Sequence, residues 1–212
     1  MKKRRVSFLL VAMVVIISTS LSGCGILKSK INSLKASLIG VQYNIEFFDN
    51  YGAKFLNVSG DNINIEGNKV KELSVDSDGN IETNYSLSSI ITIEINGMQM
   101  SSCGNTVIFA EKDLKKDVEF TLEDIESESN GGITSLTSVS KVVNKYKNYF
   151  GKKQVVVIQS QLGVPICAYS GDEVYWEIPN DLPKMTKLMI DGKALYIHRA
   201  NFEIIDKKLI EE

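Results

Sequence analysis

Turn residues recur closely along the first half of this chain, and the stretches between them read as short strands. Tyr51-Gly52, Gly60-Asp61-Asn62, Glu66-Gly67-Asn68, Asp78-Gly79 and Asn96-Gly97 divide residues 41–97 into short pieces. The first piece alternates Val41, Tyr43, Ile45 and Phe47 with Gln42, Asn44 and Glu46, the period of a half-buried strand. Asn96-Gly97 is the sharpest signal, because both central positions of a type I′ turn need positive φ, which Asn and Gly tolerate. Ile91, Ile93 and Ile95 enter that hairpin on one face, Met98 and Met100 leave it, and Thr106–Ala110 reads as the next strand.

The C-terminal third has the same character. Val155-Val156-Val157-Ile158, within Gln154–Ser160, suits a central strand covered on both faces. Gly171-Asp172 and Asp191-Gly192 predict two hairpins, Val164–Ser170 with Glu173–Ile178 and Lys187–Ile190 with Lys193–His198. Two-residue loops set the pairing, which places Cys167 opposite Trp176 and Leu188 opposite Leu195. Phe202–Ile205 reads as a last strand or helical turn.

Between these β-rich parts, residues 111–135 lose the pattern and read as a loop. Leu136, Val139, Val143, Tyr146 and Phe150 then fall at helical spacing with Gly151 in the C′ position, while Lys141, Lys145, Lys147, Lys152 and Lys153 complement the helix dipole. The fold expected is therefore α+β: a β-rich antiparallel sheet or partial barrel with one main amphipathic helix, 136–150, and an N-terminal signal/stem helix.

The chain opens with Lys2, Lys3, Arg4 and Arg5, followed by the apolar run Val6–Ile17. That run is shorter than the roughly 20 residues a membrane-spanning helix needs, and has the form of an export signal. Small residues follow, ending in Leu21-Ser22-Gly23-Cys24. This tetrapeptide resembles the lipobox of bacterial lipoproteins, which implies cleavage before Cys24 and thioether-linked diacylglycerol on its thiol. The expected organisation is 1–23 signal peptide, 24–40 lipid anchor and stem, and 41–212 a single β-rich extracytoplasmic domain. Ile26, Leu27, Ile31, Leu34, Leu38 and Ile39 give the stem largely helical spacing, with Gly40 as its stop.

Residues 1–23 hold four of the 24 basic residues and no acid, so the mature chain carries 20 basic against 26 acidic residues, a net charge near −6. A globally acidic protein is a poor ligand for nucleic acid, whose binding draws on clustered Lys and Arg. Lys28, Lys30 and Lys35, with no acid before Glu46, suit anionic lipid headgroups beside the anchor. Glu119, Glu123, Asp124, Glu126 and Glu128 read as a solvated acidic loop.

Little in the remainder points to catalysis. Cys103 and Cys167 read as two buried free thiols rather than a disulfide, since Cys167 lies in the apolar run Val164–Ala168. A cysteine hydrolase would pair Cys167 with His198, the only histidine, yet a catalytic thiolate needs an electropositive, partly exposed setting. One histidine cannot build a zinc site, and Asp76-Ser77-Asp78-Gly79-Asn80 has Leu87 where a calcium loop needs its bidentate Glu. No phosphate-binding glycine motif or nucleophile elbow occurs, so no catalytic residue, metal or cofactor is expected. The candidate binding residues are Tyr175, Trp176, Tyr196, His198 and Arg199. The Tyr and Trp side chains offer amphipathic contact surfaces, and His198-Arg199 a small cationic spot. In the expected register Trp176 faces the core with Tyr169, Val174 and Ile178, and Tyr175 faces away with Glu173 and Glu177.

Thr106-Val-Ile-Phe-Ala-Glu-Lys, Gln161-Leu-Gly-Val-Pro-Ile, Asp181-Leu-Pro-Lys-Met-Thr-Lys and Ile190-Asp-Gly-Lys-Ala-Leu-Tyr-Ile-His-Arg-Ala-Asn are similar to an uncharacterised domain-of-unknown-function family of Gram-positive lipoproteins. The resemblance covers nearly all of the mature chain and implies a location without a catalytic residue. The function expected is a membrane-anchored, extracytoplasmic, non-enzymatic binding or interaction module. Its expected partners are the membrane, through the lipid, and a cell-wall or protein component. The alternative is a cell-wall-directed cysteine hydrolase using Cys167 and His198.

Overall fold

The computed structural model describes residues 39–121 and 143–211, and within it Leu38–Glu212 form one compact unit. Residues 1–38, with the expected signal, Cys24 and all but the end of the expected stem helix, lie outside the described residues. At that end the expectation is corrected, because Ile39 and Gly40 already belong to the first strand.

The strands in chain order are β1 Ile39–Phe48, β2 Lys54–Val75, β3 Ile81–Ile95, β4 Met98–Cys103, β5 Thr106–Glu111, β6 Val118–Glu119, β7 Gln154–Gln159, β8 Pro165–Gly171, β9 Val174–Glu177, β10 Met185–Ile190, β11 Lys193–His198 and β12 Asn201–Asp206. A short helix, α1, spans Lys207–Glu211. All strand pairs are antiparallel. Eight strands form a large sheet in the order β4-β3-β2-β1-β5-β11-β10-β9, and four form a small one, β12-β7-β8-β6.

The two sheets pack face to face. Phe48, Ile108, Ala110, Leu188, Ile190, Leu195 and Ile197 of the large sheet meet Val156, Ile158, Ile166, Cys167 and Tyr169 of the small one. The other face of the small sheet presents Val118, Val155, Val157 and Ala168 to Phe120, Val143, Phe150 and Ile210. This double cover is why Val155 to Ile158 are all 0 % exposed, as their unbroken apolar run predicts. The second face of the large sheet is apolar too, with Tyr43 and Tyr196 meeting edge to face at 6.1 Å. The sheet curls around that face: the segment Asp181–Pro183 reaches across to Gly67 in β2. A Cβ there would lie 2.6 Å from the Asp181 carbonyl oxygen and 3.0 Å from Pro183 Cδ, so only glycine admits the contact.

Three expectations are corrected. The protein is mostly antiparallel β rather than α+β, for 63 % of the described residues are strand and 7 % helix. The expected main helix, 136–150, lies outside the described residues up to 142. From Val143 the chain makes one short helical stretch and a 3-10 turn, Lys147–Tyr149. Val139, Val142, Val143, Asn144 and Asn148 are weak helix formers. Val143 and Phe150, two of the apolar positions that suggested a helix, are buried against the small sheet by a segment with only one short helical stretch and a 3-10 turn. Secondly, Gly60-Asp61-Asn62 and Glu66-Gly67-Asn68 are not breaks but parts of the 22-residue β2, with an irregularity in register between Gly67 and Lys69.

The third correction concerns Gly171-Asp172, which is a crossing between sheets rather than a hairpin. Asp191 Oδ1 accepts hydrogen bonds from the backbone N–H groups of Asp172, at 2.8 Å, and Glu173, at 2.9 Å, and so turns the chain out of the small sheet. Cys167 accordingly pairs with Ile158 and Glu119, while Trp176 pairs with Leu188. The predicted match of Leu188 with Leu195 holds. Both thiols are free, but the expectation that both are buried is corrected at Cys103, which is exposed at the end of β4, while Cys167 is buried.

Candidate functional site

β11 ends in the large sheet at His198 and β12 begins in the small one at Asn201, so Arg199 and Ala200 carry the chain between sheets. Beside that crossing lies an open cleft of about 660 Å³, lined by Gln161, Ile178, Leu182, Lys184, Met185, Thr186, Arg199, Ala200 and Asn201. The lining carries two cations, no carboxylate and an apolar wall.

The two cations are held by backbone that L-residues rarely adopt. Lys184 has φ 55° and Arg199 φ 51°, and the Arg199 N–H donates to the Lys184 carbonyl at 3.0 Å. Left-handed conformation costs a non-glycine residue roughly 1 kcal/mol or more, and the surrounding hydrogen bonds offset it. Thr106 Oγ1 donates to the Arg199 carbonyl at 2.7 Å. Arg199 Nη1 donates to Gln161 Oε1 at 3.2 Å, and Gln161 Nε2 in turn donates to the Gly104 carbonyl at 2.6 Å. Asn201 Nδ2 donates to the Ser160 carbonyl at 3.1 Å. Arg199 Nε is buried and has no acceptor. Neither cation has an ion pair among the described residues. The site thus has fixed donors and positive charge, with Ile178, Leu182 and Met185 alongside.

Of the residues singled out in the sequence, only Arg199 lines this cleft. Tyr196 and His198 are both 0 % exposed on the curled face of the large sheet, His198 between Val107 and Met185. Tyr175 and Trp176 stand on β9, the edge strand, 45 % and 56 % exposed. The expectation that Trp176 faces the core is corrected, since at the sheet edge its ring has no second layer over it. Lys184, Gln161 and Asn201 fall in the segments that carry the family resemblance, but nothing in the sequence marked them as binding residues. Their side chains converge only when three separate segments meet, and no local spacing signals that.

The family model described as a domain of unknown function, DUF5052, matches residues 5–210. The chain belongs to the DUF5052 family. No curated protein and no solved structure matches it. In this DUF5052 chain the Cys167 thiol is pushed up to about 12, chiefly by complete burial, against a smaller pull from Lys116. His198 is pushed down to about 4 by burial and by the neighbouring Arg199 charge, partly opposed by the Pro183 carbonyl. A protonated thiol on β8 and a neutral imidazole on β11 are the reverse of a thiolate–imidazolium pair. Among the described residues, no three His, Cys, Asp or Glu side chains cluster as metal ligands.

The buried histidine gives this DUF5052 fold an acid sensitivity. Neither His198 ring nitrogen makes a hydrogen bond of good geometry, and the nearby Pro183 carbonyl offsets only part of the cost of burial, so protonation is unfavourable in the folded state. The unfolded chain takes up a proton below the ordinary value of 6.5, whereas the folded one waits until about pH 4. Above pH 6.5 the residue contributes no pH dependence, and stability falls as pH drops between 6.5 and 4. The loss should reach about 2 kcal/mol at pH 5 and about 3 kcal/mol at pH 4. Urea unfolding midpoints of the parent and of His198→Phe, compared across that window, measure the difference. Parallel curves would remove His198 as the cause.

Proposed function

We propose that this DUF5052 protein is a lipid-anchored, extracytoplasmic and non-enzymatic binding module whose Arg199–Lys184 cleft receives a small anionic ligand with an apolar portion. The observation that carries the reading is the pairing of two cations, unopposed by any carboxylate in the lining, with the apolar Ile178, Leu182 and Met185. Arg199 and Lys184 line the cleft with no carboxylate partner among the described residues, and hydrogen bonds to charged groups contribute more than neutral ones. On a chain with a formal net charge of −2, such a spot is a local exception rather than a consequence of composition. For the location, support comes from Leu21-Ser22-Gly23-Cys24 after a basic start and an apolar run, a stretch that the family match includes.

Octyl phosphate combines the two chemistries and serves as the probe, with octanol as its uncharged counterpart. Octyl phosphate at 100 times its Kd should stabilise the protein by about 2.7 kcal/mol in thermal unfolding, and octanol by far less. Arg199→Gln should weaken binding roughly 10- to 100-fold, the cost of a charge-assisted hydrogen bond, and Lys184→Gln somewhat less. Equal stabilisation by both probes, or undiminished binding by Arg199→Gln, would rule the cleft out as an anion site.

A further inference from the structure

Beyond Gly67 the β2–β3 hairpin leaves the body of the protein. From Lys69, opposite Leu87, to Val75, opposite Ile81, it is a two-stranded arm of seven residue pairs, about 20 Å long. Neither β1 nor β4 pairs with this stretch. An isolated two-stranded ribbon is marginal in water unless something backs it.

Directly opposed residues share a face, and successive ones alternate. One face therefore carries Lys69, Lys71, Leu73, Val75, Ile81, Thr83, Tyr85 and Leu87. On it Leu73 is 67 %, Val75 68 %, Ile81 73 % and Tyr85 68 % exposed. The other face carries Glu72, Ser74, Glu82, Asn84 and Ser86, with Val70 its one apolar residue. That face is already tied together: Asn84 Nδ2 donates to Ser74 Oγ and Ser86 Oγ to Glu72. One side is thus apolar and basic, with no acid, and the other polar and acidic.

We infer that the arm lies flat on an anionic lipid surface, burying the Leu73–Val75–Ile81–Tyr85 face among the headgroups with Lys69 and Lys71 at the phosphates. This rests on the membrane-anchored reading above and adds a second contact to it. The charge pattern selects the occupant. Neither lysine has a carboxylate partner among the described residues, so anionic headgroups complement the face, while Glu72 and Glu82 point to water. A second copy of the chain would set four lysines in one interface. Tip-first insertion is disfavoured, because Asp76 and Asp78 form the turn. The Asp76 carboxylate accepts the N–H groups of Asp78 and Asn80 at 2.9 and 2.8 Å, which holds it ionised below the usual carboxylate range.

The test uses the full chain on vesicles of equal parts phosphatidylcholine and phosphatidylglycerol with brominated acyl chains. Trp176 is the only tryptophan, so Trp176→Phe with Tyr85→Trp puts a single reporter on the arm. Its emission should shift to the blue and be quenched by bromine. Lys69→Gln and Lys71→Gln should each lower the ratio of bound to free arms roughly fivefold, and both together about thirtyfold. Leu73→Ser with Ile81→Ser should abolish quenching and leave thermal unfolding unchanged, since neither side chain touches the core. Unshifted, unquenched emission from protein whose Cys24 is acylated would overturn the proposal. So would arm-to-arm crosslinking of Tyr85→Cys without lipid contact. Quenched emission from protein whose Cys24 proves unacylated would support the arm and remove the anchor reading alone.

Discussion

Cys24→Ala should move the protein from the membrane fraction into the medium, with the membrane-to-medium ratio falling more than about a hundredfold. The reasoning is additive in hydrocarbon. A single acyl chain confers marginal, reversible attachment, near 10⁴ M⁻¹, because each buried CH₂ contributes about 0.8 kcal/mol against the cost of confinement. The two chains of a diacylglycerol would raise this to stable anchoring. Without them there remain the lysines at 28, 30 and 35, at about 1 kcal/mol each near anionic lipid, together with whatever the β2–β3 arm adds. Those terms are screened by salt, so the residual binding of the variant should vanish at high ionic strength while that of the parent persists. Fractionation with mass analysis of the mature N-terminus decides it. An unmodified Cys24 on a parent protein that still pellets with membrane would end the lipid-anchor reading.

Lys116→Met should destabilise the protein by about 3 kcal/mol, the lower end of the cost of stripping one partner from a buried ion pair. Glu46, on β1 of the large sheet, is 4 % exposed and bonds Lys116, which precedes β6 of the small sheet. Lys54 stands 3.1 Å from Glu46 and 2.6 Å from Glu119, so the four charges join the two sheets. Burial opposes ionisation of Glu119, but the Lys54 hydrogen bond and the Lys116 charge outweigh it and hold its carboxyl below the usual range. Lys54 still faces Glu46 in the variant, which is why the loss should not reach the upper end, about 5 kcal/mol. Adding Glu46→Gln should recover more than half of the stability, because the uncompensated charge and not the missing contact is what costs. A melting temperature within about 2 °C of the parent for Lys116→Met would show the cluster to be solvated.

Much of the strand pairing was legible wherever two adjacent residues carry the instruction. Asn96-Gly97 adopts φ 51° and 82° and Asp191-Gly192 φ 49° and 79°, as a type I′ turn requires, and Ile95 then meets Met98 and Ile190 meets Lys193. Gly171-Asp172 looks the same in sequence and behaves differently. What turns the chain there is the Asp191 carboxylate, 19 positions away from Asp172. That single misreading moved Trp176 from the edge to the core and put Cys167 beside it. The described end of the expected helix, 143–150, shows a related ambiguity: spacing of three and four says that one side of a segment is to be buried, but a short helical stretch followed by a 3-10 turn on a sheet meets the same demand. Of the candidate site, Arg199 was legible as an isolated cation on an acidic chain, whereas its neighbours were not.

What the amino-acid order determined by itself is local: where the backbone takes positive φ, which stretches alternate, and that Val155–Ile158 must be covered on both sides. Those follow from the sterics and hydrophobicity of residues within a few positions of one another. Only the tertiary structure decided that the chain changes sheets at Gly171 and again at Arg199, that Lys184 and Arg199 share a cleft, that His198 is desolvated, and that one hairpin outruns its neighbours to leave an amphipathic arm. Each of these depends on how much surface distant segments bring to the same place, and burial, unlike a turn, has no local signature.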